Sequence, residues 1–175
     1  MTPTQVAFFR NLNLGHRGSP SRAELEQAFA ASDARSVRSF QTNGTVAFVA
    51  QDATTTLARV VANLTAICGW DDVAPVRPLR LVRDIAALAL PAPEPQTTHH
   101  VTLFDATLDL DPGWTTADGR LVVFDHGPGW AACASRRVGG RIGDPTVVVQ
   151  GLTGVRATTR TIGTIRRLVA TLDAR

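Results

Sequence analysis

The sequence has no lysine: its 18 basic residues other than histidine are all arginine. An all-arginine complement reflects GC-rich coding as much as function, and a net charge of +3 does not by itself identify a nucleic-acid binder. Cysteine is equally scarce. Cys68 and Cys133 lie far apart without a paired motif, which excludes a disulfide framework and fits a reducing cytoplasm; both read as buried small hydrophobes. No apolar run reaches the roughly 18 residues of a membrane helix. Met1–Gln5 lacks a basic start and Val6–Phe9 is too short for a signal-peptide core, so a cytoplasmic protein is expected, with no membrane partner. Metal motifs are missing too, and no cofactor is expected. Adjacent His99 and His100 would point to opposite faces of a strand, whereas His16 and His126 fall in glycine-flanked loops.

What is present begins with Val6–Ala50. Val6–Leu14 alternates as a strand, with Val6, Phe8, Leu12 and Leu14 on one face and Phe9, Asn11 and Asn13 on the other. Arg10 falls among the apolar set, which is costly unless the strand has ended or a carboxylate meets it. Gly15–Pro20 is a loop. Ser21 with Glu24 makes a capping box, or Ser19 caps with Pro20 in the first turn; either opens a helix over Arg22–Ala31, with Leu25, Ala28 and Phe29 inward. Ser36–Phe40 and Thr45–Ala50 are paired strands, joined by a two-residue reversal at Asn43-Gly44, where both residues tolerate positive φ.

From Thr54 to Cys68 the residues Leu57, Val60, Val61, Leu64, Ile67 and Cys68 form a helical stripe, with Asp52 near its start and Gly69 as its cap. Val76–Arg83 follows as a strand, and Pro75 and Pro78 place it at an edge. The order strand, helix, hairpin, helix, edge strand is the ferredoxin-like pattern. Asp84–Leu90 reads as a short helix and Pro91–Gln96 as a linker, which divides the chain into subdomains over 1–90 and 97–175.

The second subdomain reads as α+β. Strands are expected over Thr98–Asp105, Arg120–Asp125 and Trp130–Arg136, with a turn at Gly127-Pro128-Gly129. Val138–Pro145 is a Gly/Arg loop, Thr146–Leu152 suits strand or helix, and a terminal helix spans Thr158–Leu172. If that helix reached back to Arg156, then Arg156, Arg160 and Arg167 would share its polar face. Glu94–Asp125 holds six acids and one arginine, whereas Arg136–Arg175 holds eight arginines and two acids; the two stretches can pair with each other.

Candidate chemistry is confined to a few groups. Arg10, Asn11 and Asn13 offer donors to an anion or nucleotide at a strand end, with Asn43, Thr45 and Arg160 joining them. The competing view has Arg10 or Arg160 paired with an internal carboxylate while the asparagines cap turns. Arg136–Gly143 has glycine amides suited to a phosphate but lacks a P-loop continuation, so a flexible basic loop describes it. Cys133 and Ser135 have no nucleophile elbow around them. Asp109 and Asp111 share a strand face, as a carboxylate pair or a solvated edge. Phe9 and Phe48 suit a core better than an RNA-stacking sheet, because no RNP1-like motif surrounds them.

Three segments carry a family resemblance. Arg10-Asn11-Leu12-Asn13-Leu14-Gly15 resembles the R-G-I-N-V-G-G opening of the bacterial domain-of-unknown-function family 1697. Val37–Phe48 resembles its V-x-T-Y-x-x-S-G-N-V-x-F segment, and Thr158–Leu168 its T-x-R-N-W-N-T-V-x-K-L ending. Arg10, Asn13 and Gly15 match in the first, Gly44, Val46 and Phe48 in the second, and Arg160, Thr164 and Leu168 in the third, which adds Thr164 to the candidate ligand residues. Asn43-Gly44-Thr45 and Thr161-Ile162-Gly163 depart from the pattern. The resemblance implies an α+β fold of two ferredoxin-like halves with antiparallel sheets, and no activity. The resulting expectation is a binding module without catalytic machinery, whose partner is an anionic small molecule, a nucleotide or a nucleic acid. Two alternatives stay open: an enzyme with a cleft around Arg10, Asn13 and Arg160, and a module that self-associates through the edge strand Val76–Val82.

Overall fold

A computed structural model describes residues 2–92, 94–111 and 113–174. The chain is α+β and divides into two compact units, Met1–Arg83 and Asp84–Arg175. The division falls inside a helix, and Pro93 of the expected linker lies outside the described residues.

The first unit runs β1 (Thr4–Phe8), α1 (Arg22–Ala30), β2 (Arg35–Phe40), β3 (Thr45–Val49), α2 (Ala53–Cys68) and β4 (Val76–Pro78). Its sheet is antiparallel with the order β2-β3-β1-β4, the ferredoxin-like arrangement. The helix ends follow their sequence signals. Ser21 and Glu24 close the capping box of α1 reciprocally, Asp52 caps α2 through the Thr55 amide, and Gly69 ends α2 in the left-handed conformation. Leu25, Ala28 and Phe29 of α1 and Val60 and Leu64 of α2 share one core with Ala7, Phe9, Val46 and Phe48 of the sheet side. Phe9 packs on Phe29 at 5.9 Å and on Trp70 at 5.2 Å between ring centroids, and Phe29 packs on Phe48 at 5.0 Å. Each such pair adds about 0.5–1.5 kcal/mol beyond the area it buries.

Several expectations for this unit are corrected. β1 ends at Phe8 rather than Leu14, because the chain turns at Arg10 and Asn11, the latter at φ 53°, a conformation asparagine tolerates. Phe9, Leu12 and Leu14 therefore enter one core together instead of alternating across a strand. The β2–β3 connection spans four residues, Gln41–Gly44, with positive φ at Gln41 and Gly44 and not at Asn43. β4 keeps three residues, and α3 (Leu79–Ala86) follows at once in place of the expected strand to Arg83 and helix over Asp84–Leu90. β4 is nonetheless an edge of its sheet. Cys68 is half-buried rather than buried, and Ile67 is exposed.

The second unit contains β5 (Thr97–Phe104), β6 (Trp114–Thr115), β7 (Leu121–Gly127), β8 (Trp130–Val138), β9 (Arg141–Ile142), α4 (Pro145–Thr153), β10 (Ala157–Thr161) and α5 (Ile162–Asp173). Its sheet, ordered β10-β5-β8-β7-β6, repeats the strand order of the first, but the first crossover carries no helix. Ala106, Leu108, Leu110 and Trp114 from that crossover instead pack against a core of Phe104, Leu121, Val123, Ala131, Cys133, Val149 and Ala157. Residues 107–111 form no strand, so Asp109 and Asp111 do not share a strand face; Pro112, which follows them, lies outside the described residues.

Thr146–Leu152 is helical, because Asp144 caps it through the amides of Thr146 and Val147 and Pro145 occupies its first turn. The Gly/Arg segment is a hairpin instead of a loop, with Gly139 and Gly140 both at positive φ as a two-residue reversal requires. Thr158–Thr161 is strand β10, and the helix starts only at Ile162, capped by Thr161; Arg160 therefore never joins a helical arginine face. His126 lies on β7 rather than in a loop.

Gly44 ties the first unit together. A Cβ there would sit 2.9 Å from the Phe9 Cβ and 3.1 Å from the Leu12 Cβ, and its φ of 66° strains any L side chain. Gly44→Ala is expected to destabilise the protein by about 1–3 kcal/mol in chemical denaturation; an unchanged midpoint would show that this junction is loose.

Candidate functional site

The residues that follow β1 are placed by backbone bonds on both sides. The Phe9 amide donates to the Gly44 carbonyl at 2.8 Å and the Leu14 amide to the Thr42 carbonyl at 2.8 Å, so 9–14 lies along the β2–β3 turn. The Arg10 amide donates to the Val73 carbonyl at 2.9 Å, and the Trp70 indole donates to the Arg10 carbonyl at 3.1 Å. Arg10 thereby faces the segment after α2. Its guanidinium meets the Asp72 carboxylate at 2.7 Å, and the Asn11 amide donates to the same oxygen at 3.1 Å. The Asn13 backbone amide donates to the Ser19 hydroxyl oxygen at 3.2 Å, and its side chain is exposed. Asn43 donates to the Gln41 side chain at 3.5 Å, and Thr45 is buried.

Arg10, Asn11, Asn13, Asn43 and Thr45 thus all belong to the first unit, and its fold sets the strand-end segment beside the turn. Arg160 and Thr164 belong to the second. Arg160 donates to the Thr158 hydroxyl and the Thr159 carbonyl, both at 2.9 Å, and burial pushes its guanidinium down to about 10, which leaves it protonated. Thr164 sits in the first turn of α5, where its amide donates to the Thr161 hydroxyl at 3.3 Å and Arg167 donates to its own hydroxyl at 3.3 Å.

The first unit also holds a cleft that no sequence motif announced. It encloses about 430 Å³ and is lined by Asp33, Arg35, Gln51, Asp52, Thr55, Thr56 and Arg59, with Thr2, Val49 and Ala50 completing the wall. Three local features build it. Asp33 and Ser36 hold positive φ, and the register shift between Arg35 and Arg38 marks a bulge in β2 that sets Arg35 opposite Val49. Asp52 begins α2, and the Thr55 hydroxyl, then the Thr55 amide, hold its carboxyl below the usual range. Arg59, two turns into α2, reaches Asp33 at 2.6 Å, with both side chains largely exposed. Only the bulge could have been suspected from sequence, and β2 carries no glycine to mark it.

Burial shifts two titratable side chains of the second unit, Cys133 and His100. Burial pushes the Cys133 thiol up to about 12, so it stays protonated at neutral pH. Burial first, then neighbouring His99, lowers His100 against an opposing pull from Asp144, which favours its neutral form. Arg136 of the basic stretch pairs with Glu94 of the acidic one at 3.3 Å, whereas Asp118 pairs with Arg120 inside its own stretch. Among the described residues no group of three or more His, Cys, Asp or Glu is placed to hold a metal, and no helix is long and apolar enough to cross a membrane.

The family model for DUF1697, described as a protein of unknown function, matches residues 1–114. Of the three resembling segments, the first two lie inside that range and Thr158–Leu168 lies beyond it. No curated protein matches the sequence. The conserved bacterial protein SP0830 from Streptococcus pneumoniae has a similar structure at a TM-score of 0.66, with 14% sequence identity and 99% of each chain covered. At that identity the likeness carries the fold alone.

Two experiments follow from these placements. Replacing Asp72 by Ala strands the Arg10 guanidinium and the Asn11 amide together, and is expected to cost about 1–3 kcal/mol of stability; a neutral result would mean that the pair is solvated and unimportant. A thiol reagent at mildly alkaline pH should label Cys68 promptly and Cys133 only on unfolding. Equal labelling of both in the folded protein would contradict the burial of Cys133.

Proposed function

The chain belongs to the DUF1697 family, which has no assigned activity, and from that premise we propose that it is a binding module for an anionic ligand, a nucleotide or a nucleic acid. One observation supports this reading above the others. Nine arginines face six carboxylates in Met1–Arg83, and nine face nine in the remainder, so the whole net charge of +3 resides in the first unit.

Three of those arginines, Arg22, Arg35 and Arg38, lie at the β2 edge. Arg35 and Arg38 lie exposed on edge strand β2, and Arg22 donates to the Ser39 and Gln41 carbonyls at 3.0 and 2.9 Å, which holds its guanidinium against the strand's end. Arg17, Arg35 and Arg38 meet no carboxylate among the described residues, so their charge is available to a ligand. Arginine suits that role, because its planar fork matches phosphate and carboxylate oxygens in pairs. Charged side chains on β2 also discourage strand addition there, and β4 offers only three residues ending in Pro78. Both features weigh against self-association through the edges of this sheet.

The test is binding of labelled single-stranded and duplex oligonucleotides and of mononucleotides across a salt series. Affinity should fall with rising salt, by a log–log slope of about 0.7 per phosphate neutralised on a single strand, and the double variant Arg35→Glu/Arg38→Glu should abolish it. Absence of binding to all of these anions at low salt would overturn the reading.

A further inference from the structure

We propose that the cleft between β2 and the start of α2 is a site for a small phosphomonoester bearing hydroxyl donors, the class that includes mononucleotides and sugar phosphates. This rests on the anion-binding reading above and narrows it to one place and one ligand size.

Four observations converge. The cleft volume of about 430 Å³ falls in the range of small-molecule sites and exceeds what a bare phosphate fills. Arg35 stands on its wall with no carboxylate partner among the described residues, and its fork can take two oxygens of one phosphate. Thr56 is more than nine-tenths buried and lines the same cleft. Its amide bonds the Asp52 carbonyl, but its hydroxyl makes no hydrogen bond among the described residues. That hydroxyl is not sealed from solvent, so a ligand oxygen in the cleft can take the place of water on it.

The fourth observation limits the ligand's charge. Asp33 and Asp52 lie in the same wall, and the Thr55 bonds keep Asp52 ionised. Two carboxylates repel a run of phosphates, but each has lone pairs for hydroxyl groups. A single phosphate on Arg35 with a polyol turned toward the aspartates satisfies both requirements. Arg59 supplies a second cation, because its exposed pair with Asp33 is of the weak kind and can exchange toward a phosphate. Gln51 adds an amide to the rim.

Calorimetric titration of the full chain with adenosine 5′-monophosphate, adenosine, inorganic phosphate and a single-stranded oligonucleotide tests this. The monophosphate should bind at least about tenfold more tightly than adenosine or inorganic phosphate, and Arg35→Ala should weaken it about tenfold or more. Thr56→Val, which keeps the side-chain shape, should weaken it about threefold or more without lowering the melting temperature, as loss of one hydrogen bond predicts. Monophosphate binding unchanged by both variants, or no monophosphate binding at all, overturns the cleft assignment. Salt-sensitive oligonucleotide binding that persists in that event preserves the broader reading, and its loss as well removes both.

Discussion

Gly44 has no room for a side chain, and much of the first unit depends on that. Its carbonyl accepts the Phe9 amide, and its missing Cβ leaves space for Phe9 and Leu12. The chain can then leave β1, cross the β2–β3 turn and deliver Leu12 and Leu14 to the same core as Phe29, Phe48 and Trp70. The junction also settles where the polar groups go. Once the Arg10 backbone is held by the Val73 carbonyl and the Trp70 indole, its guanidinium is carried to Asp72, and Asn11 follows it there.

This division of labour gives the arginines two different jobs. Arg10 is part-buried and balanced by a carboxylate, and Arg160 is part-buried and bonded to its own strand, so each helps hold structure in its own unit. Arg35 and Arg38 sit on an edge strand in water, where a charge costs little to keep and is free to act. Part of the positive charge of the first unit, on Arg35, is therefore surface charge at the cleft, and long-range attraction of an anion toward it needs no rearrangement.

Much of the fold was legible in the sequence because its signals are local. The Ser21–Glu24 box, the Asp52 and Gly69 caps and the Val60–Leu64 stripe each act within a few residues. What was hidden depends on contacts far along the chain. The strand expected over Arg10–Leu14 is absent because Gly44 and Val73 draw that segment away from the sheet, and Thr158–Thr161 follows strand pairing with β5 over its place before a helix. Gly139-Gly140 took the two-residue reversal assigned to Asn43-Gly44, since the turn type there is set by the packing of Phe9 and Leu12. The cleft was invisible for the same reason: Asp33, Arg35, Thr56 and Arg59 share no motif, and only the bulge in β2 and the start of α2 bring them together.

Arg10 and Asn11 hold structure through Asp72, and we propose that the β2 edge and the start of α2 meet the ligand. Backbone amide shifts recorded by NMR during titration with a mononucleotide test it most directly. The account predicts changes confined to residues 33–40 and 49–59, with Arg10, Asn11 and Asp72 unmoved. Changes centred on Arg10–Asn13, with the cleft silent, would contradict it.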